Sequence, residues 1–225
     1  MRKRTERRLE TIVGAAVTVF SRTGYAAAQV ADIARVAGVS VGTVYLYAAS
    51  KEALFHAALQ YAGGKPAGED ALPLRFMDWS ATRGLLGELS LRVARWPRLD
   101  AALASRSRPG KSALNAVAAE LFDLIAGNRR LLRLVDACVG DIDALQGLYE
   151  IDIKRRYLLA MEQFVGRLAA PADVNRPVLA RAIVELTAWM AMHRHHDSRP
   201  IAATDEAIRA ETLRQIAAML GSVGA

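Results

Sequence analysis

The chain has 225 residues and a formal net charge of +7, with 52% hydrophobic and 24% charged residues. That balance excludes a disordered polyelectrolyte and leaves enough apolar mass for a core without disulfides or metals. No apolar run approaches the ~18 residues of a membrane span, the charged start lacks the apolar stretch of a secretory signal, and Cys138 is the single cysteine, so the expected location is cytoplasmic.

Aromatics make up only 6% of the chain, so alanine and branched aliphatics fill the interior. Both points favour helices. Residues 1–62 carry Arg2, Lys3, Arg4, Arg7, Arg8, Arg22, Arg35 and Lys51 against Glu6, Glu10, Asp32 and Glu52, so +4 of the total +7 lies in this front part. A basic amino-terminal arm suits a polyanion such as DNA, and equally a solvated tail.

Leu9, Ile12, Val13, Ala16, Val17 and Phe20 form one helical stripe, which Gly24 is expected to stop. A second stripe, Val30, Ile33, Ala34 and Ala37, runs into Gly38. Ser40 is the expected N-cap of a short helix over about 40–47, and Ser50 caps another over about 51–62. Residues 63–73 are rich in glycine and proline and read as a loop or boundary. Helices are then expected at about 82–95, 98–106, 111–126, 129–139, 142–169, 176–196 and 204–220, the last opened by Thr204-Asp205-Glu206. No stretch alternates with the period of a strand, so the expected fold class is all-α.

Two short helices joined at a glycine, inside a basic module, have the form of a helix-turn-helix. The second would lie in the major groove, where Ser40, Thr43, Tyr45 and Tyr47 offer hydroxyls to phosphates or base edges. Lys51 would supply a phosphate cation.

Residues 9–54 resemble the DNA-binding domain of the TetR/AcrR transcriptional regulators. The resemblance rests on Ile12, Ala15, Ala16, Phe20, Gly24-Tyr25, Val30, Asp32-Ile33-Ala34, Ala37-Gly38-Val39-Ser40, Gly42-Thr43-Val44-Tyr45, Tyr47, Ser50-Lys51-Glu52 and Leu54. It implies a three-helix helix-turn-helix domain at 1–62 and a helical effector-binding and dimerisation domain at 63–225. It also implies DNA contacts from Gln29, Ser40, Val41, Gly42, Thr43, Tyr45, Leu46, Tyr47 and Lys51. Three positions depart from the family pattern. Ala48 replaces the usual phenylalanine and should loosen the packing of the second helix. Ala28-Gln29 replace a Thr or Ser pair, and Leu46 stands where a polar or basic residue is common.

The resemblance further implies a homodimer on a palindromic double-stranded operator, with the last two long helices at the interface. A small, hydrophobic effector would sit among the middle helices. Trp79, Trp96, Phe122, Cys138, Tyr149, Tyr157, Met161 and Trp189 are the candidate lining, with core packing as the competing role of each. His193, His195, His196 and Asp197 lie at a helix end and read as capping or surface groups rather than a metal site. No phosphate loop, nucleophile elbow or catalytic pairing is visible, so neither an enzyme nor a cofactor is expected. Two other readings compete: a helical small-molecule binder with a weakened DNA module, and a regulator controlled by a protein partner.

Overall fold

The computed structural model describes residues 2–67, 72–93, 95–147, 154–168 and 174–221. The chain is all-α, and the described residues contain no strand beyond one isolated bridge between Ala48 and Leu74. Twelve α-helices are present among them: α1 (Arg2–Ala27), α2 (Val30–Ala37), α3 (Val41–Tyr47), α4 (Lys51–Ala62), α5 (Trp79–Val93), α6 (Pro97–Ala104), α7 (Lys111–Gly127), α8 (Arg129–Cys138), α9 (Asp143–Gly147), α10 (Arg155–Arg167), α11 (Arg176–Ala191) and α12 (Asp205–Gly221). No single one of these is long and apolar enough to cross a membrane. The chain forms two compact units, Met1–Arg92 with Arg130–Glu150, and Val93–Arg129 with Ile151–Ala225.

In the first unit α1 packs against α2 and α4. Ile12, Phe20, Ile33, Leu54, Phe55 and Leu59 are fully buried there. Ile12, Phe20 and Ile33 belong to the two apolar stripes, and Leu54, Phe55 and Leu59 form the apolar side of α4, so burial of these faces drives the assembly. The helix of α1 breaks at Gly24, whose φ of 78° and ψ of 173° are open to glycine and strained for other residues. A short turn continues to Ala27, three residues past the expected stop. Asp141 explains the stability of that turn: its Oδ2 accepts from the Ala26 N–H at 2.8 Å. Asp141 thereby ties down the end of α1. Cys138 is fully buried, and its Sγ donates to the Phe20 carbonyl at 3.4 Å.

In the second unit α11 packs on α7, α10 and α12, α12 also packs on α7, and α6 packs on α7 and α10. Leu99, Leu114, Leu121, Phe122, Met161, Phe164, Ile183 and Ile216 are buried. Helix α6 has no side-chain cap of its own, because Trp96 occupies the N-cap position. Glu120 of α7 fills that role by accepting from the Arg98 and Leu99 N–H groups at 3.0 and 3.3 Å. At the other end Arg167 of α10 donates to the carbonyls of Ala102, Leu103, Ser105 and Ser107. An anion thus meets the positive end of α6 and a cation the negative end. Arg209 of α12 holds Asp123 of α7 through Nε and Nη2 at 2.6 and 2.8 Å.

Later helix boundaries also differ from expectation. The stretch expected over 142–169 is occupied by α9 and α10, with residues 148–153 outside the described set. The helix expected over 176–196 ends at Ala191 and gives way to a 3-10 turn over His193–His196. Arg194 accounts for the early end. Its Nε donates to the Met190 carbonyl at 2.6 Å, which takes the acceptor that the next helical N–H would need.

Candidate functional site

The pair α2 and α3 meets at 96°. Gly38 makes the corner with φ 65° and ψ 40°, a left-handed conformation, and its N–H closes on the end of α2. The next N–H, from Val39, reaches the Ala34 carbonyl at 3.0 Å. Small side chains at Ala34 and Ala37, both buried, keep the two helices close. Ser40 then caps α3: its Oγ accepts from the Thr43 N–H at 3.1 Å, and the two hydroxyls are 2.9 Å apart.

Helix α3 is anchored by one side and open on the other. Val44 and Ala48 are fully buried, while Ser40, Val41, Gly42, Tyr45 and Leu46 are exposed. Leu46 is 70% exposed, an unusual position for a leucine inside a folded module. Thr43 and Tyr47 are half-buried at the edge of this face.

That edge continues onto α1. Arg4, Thr5 and Arg8 line an open recess of about 640 Å³ together with Gly38, Val39, Thr43 and Tyr47. The amino-terminal arm is helical from Arg2 onward, so Arg4 and Arg8, four residues apart, share a face and point the same way. Sequence reading noted these arginines as charge; their place beside the turn follows from where α1 packs, which spacing within α1 does not reveal.

The carboxyl end of α3 is fixed by a residue far along the chain. The Leu74 N–H donates to the Tyr47 carbonyl at 2.8 Å, and the Leu74 carbonyl accepts from the Ala49 N–H at 2.9 Å. The small Ala48 side chain was expected to loosen this end of the helix. The backbone bridge to Leu74, itself 7% exposed, holds it in place.

The other two expected contacts flank the pair. Gln29 is exposed at the start of α2 and makes no capping bond. Lys51 is engaged within the module, with Nζ donating to the Ala26 carbonyl at 3.1 Å and lying 4.6 Å from the Tyr25 ring centre. Tyr25 in turn donates to Glu52 Oε1 at 3.0 Å. Burial and the adjacent Glu52 carboxylate raise the Tyr25 pKa, so the phenol stays protonated. The Glu52 carboxyl lies below its ordinary pKa, because burial is outweighed by bonds from Ser50, its own N–H and Tyr25.

Residues 12–58 match the family model of the bacterial regulatory proteins of the tetR family. Over that stretch the chain is similar to the DNA-binding part of this family. The α2–α3 pair, residues 30–47, lies wholly within the matched stretch. Solved structures to which the chain is similar include a TetR-like transcriptional regulator from Rhodococcus sp. RHA1, 18% identical over 93% of this chain and 96% of that one, with a TM-score of 0.47. Another is the TetR-family regulator PfmR from Thermus thermophilus, 18% identical over 89% and 91%, with a TM-score of 0.48. FadR from Bacillus subtilis, solved with stearoyl-CoA, is 18% identical over 92% and 96%, with a TM-score of 0.44. No curated protein matches the sequence.

The residues expected around an effector are distributed between the two units. Trp79 stands in the first, in an aromatic cluster with Tyr25, Phe55 and Phe76. Cys138 also lies there; burial and the nearby Asp141 push its thiol up to about 12, so it is no reactive thiolate. Trp96, Phe122, Met161 and Tyr157 lie in the second unit, and Trp96 and Tyr157 touch ring to ring. Trp189 is 37% exposed on α11, and Tyr149 lies outside the described residues.

Among the described residues no group of three or more His, Cys, Asp or Glu side chains is placed to hold a metal. His195 sits among charged groups. Its Nε2 lies 3.2 Å from Arg129 Nη1, and Asp205 receives bonds from both Arg129 and Arg194. A guanidinium only donates, so Nε2 accepts and the ring is neutral. Burial, Arg194 and Arg129 all hold the His195 pKa below its ordinary value, against a weaker pull from Asp205.

Proposed function

We propose that this chain is a TetR-family, ligand-responsive regulator, acting as a repressor, that binds a palindromic operator as a homodimer. One observation carries the reading: α3 exposes Val41, Gly42, Tyr45 and Leu46 along one face, directly beside the cationic recess of Arg4 and Arg8. A phosphate backbone is drawn to the arginines while the exposed side chains of α3 meet base edges. Tyr45, Tyr47, Thr43 and Ser40 offer hydroxyls. Leu46 offers an apolar surface that suits a thymine methyl group. Gln29 adds a phosphate contact from the start of α2, and Lys51 does so after leaving the Ala26 carbonyl.

The functional division falls at 62/63, with DNA binding before it and effector binding and dimerisation after it. Helices α11 and α12 form the twofold interface, and Val178 and Trp189, 63% and 37% exposed on α11, are surfaces for a mate. A small, hydrophobic effector that binds one arrangement of the dimer better than the other lowers operator affinity by that difference.

Selection from a random DNA pool, followed by a gel shift across salt concentrations, tests the reading. A single enriched palindrome, bound orders of magnitude more tightly than random DNA, is the expected result. Equal binding of all sequences overturns it.

A further inference from the structure

Trp96 and Tyr157 form the least satisfied contact in the second unit. Trp96 precedes α6 and is 3% exposed; Tyr157 lies on α10, which packs against α6. The ring centres are 4.9 Å apart and the planes tilt by 33°. The apolar faces are well used, but the polar ends are not. Trp96 Nε1 and Tyr157 Oη are both shut off from solvent, and neither has a hydrogen-bond partner.

Buried indole N–H and phenol O–H groups nearly always find partners, because leaving one unmade forfeits its hydration. Stability alone would favour phenylalanine at both positions. Two orphans at one ring contact therefore mark a place where a partner is meant to arrive. The indole is a donor only. The phenol keeps its proton, since burial raises its pKa well above the ordinary value. The missing partner is thus an acceptor. The arginines of α10, α11 and α12 with assigned bonds, such as Arg167, Arg176 and Arg209, are committed to backbone carbonyls or to Asp123. Arg156 precedes Tyr157 on α10 and its charge reaches the phenol, but that side chain is exposed, so a buried anion would meet only a solvent-screened counter-charge, which disfavours a carboxylate.

We infer that Trp96 Nε1 and Tyr157 Oη are the polar end of an effector subsite for an uncharged carbonyl compound, a ketone, ester, amide or thioester on an apolar body. The assignment rests on the ligand-responsive reading above. Phe122 on α7 and Met161, one turn beyond Tyr157 on α10, supply buried apolar surface in the same bundle.

Acetophenone and ethylbenzene, matched in size and differing in one acceptor oxygen, are the probes. The full-length protein is ¹⁵N-labelled and its three tryptophan indole signals are assigned with Trp79→Phe and Trp189→Phe. Acetophenone is expected to shift the Trp96 indole proton downfield and saturate, and to bind about tenfold or more better than ethylbenzene, the weight of roughly one hydrogen bond. Tyr157→Phe is expected to raise the melting temperature of the ligand-free protein while reducing the preference for acetophenone by about the same factor. The inference is overturned by equal binding of the two probes, by binding of neither, by a trapped water on Trp96 that acetophenone does not displace, or by Tyr157→Phe lowering the melting temperature with selectivity intact. The operator gel shift is run on the same preparations. Loss of sequence preference there removes the regulatory reading and leaves the subsite result standing; failure of the probes with the operator still bound removes only the subsite.

Discussion

Leu74 pairs through its backbone with the residues on both sides of Ala48 and so clamps the end of α3. The clamp lies 26 residues beyond the position it supports, counting from Ala48 to Leu74. Leu74→Ala should therefore act on α3. Its side chain is nearly buried, so the loss should be about 2–4 kcal/mol, the range for a leucine truncated in a core. Urea denaturation measures that loss. A gel shift under conditions where the variant stays folded should show weaker operator binding, and unchanged affinity would mean that the clamp is irrelevant to α3.

Arg8→Ala should weaken DNA binding by a similar factor for every sequence. The salt slope should fall by about 1, the signature of one lost phosphate contact. Leu46→Ala should instead change which bases are preferred and leave the slope alone. Affinities for the selected palindrome and for random duplex, each at several salt concentrations, separate the two.

The ends of α6 offer a test of borrowed capping. Glu120→Gln removes the anion from its amino end, and Arg167→Met removes the cation from its carboxyl end. Each should cost about 0.5–2 kcal/mol, as lost caps do. Thermal unfolding of the two variants checks this. Neither substitution should alter the salt slope of DNA binding.

His195 should make stability depend on pH. Its folded pKa is depressed by burial, Arg194 and Arg129, so the unfolded chain binds a proton more readily than the folded one. Stability then rises with pH from the depressed folded value up to about 6.5, the ordinary histidine pKa, and is flat above it. His195→Gln should remove that slope below about pH 6.5. Asp205, whose pKa is lowered by bonds from Arg194 and Arg129, contributes with the same sign only in more acid solution, as its carboxylate is protonated. Urea midpoints between about pH 5 and 8 measure the difference.

The elements that were readable from sequence are those whose determinants are local. Ser40 and Ser50 cap the helices they precede, Thr204 accepts from the Ala207 N–H as an N-cap should, and Gly38 turns the chain where the stripe stops. What escaped depends on residues distant in sequence. Spacing within the helix does not show that Arg194 ends α11 by bonding Met190 and Asp205, that Glu120 caps α6 from the neighbouring helix, or that Leu74 braces α3. The exposed face of α3 followed from its short apolar anchor, Val44. The recess beside it required knowing where α1 crosses the turn.

Gly24 has a consequence for how the molecule is made. A methyl group added there would stand 2.9 Å from Asp141 Oδ2 and 3.1 Å from the Ala137 carbonyl, in a backbone shape that only glycine tolerates without strain. The Ala26 N–H that closes this corner waits for a carboxylate 115 residues downstream. A ribosome adding ~5–20 residues per second delivers that carboxylate on the order of ten seconds later. Through that interval the nascent front end carries an open corner and an unfilled seat for the Cys138 thiol, so this part of the chain reaches its final shape only after residues 138–141 have been made.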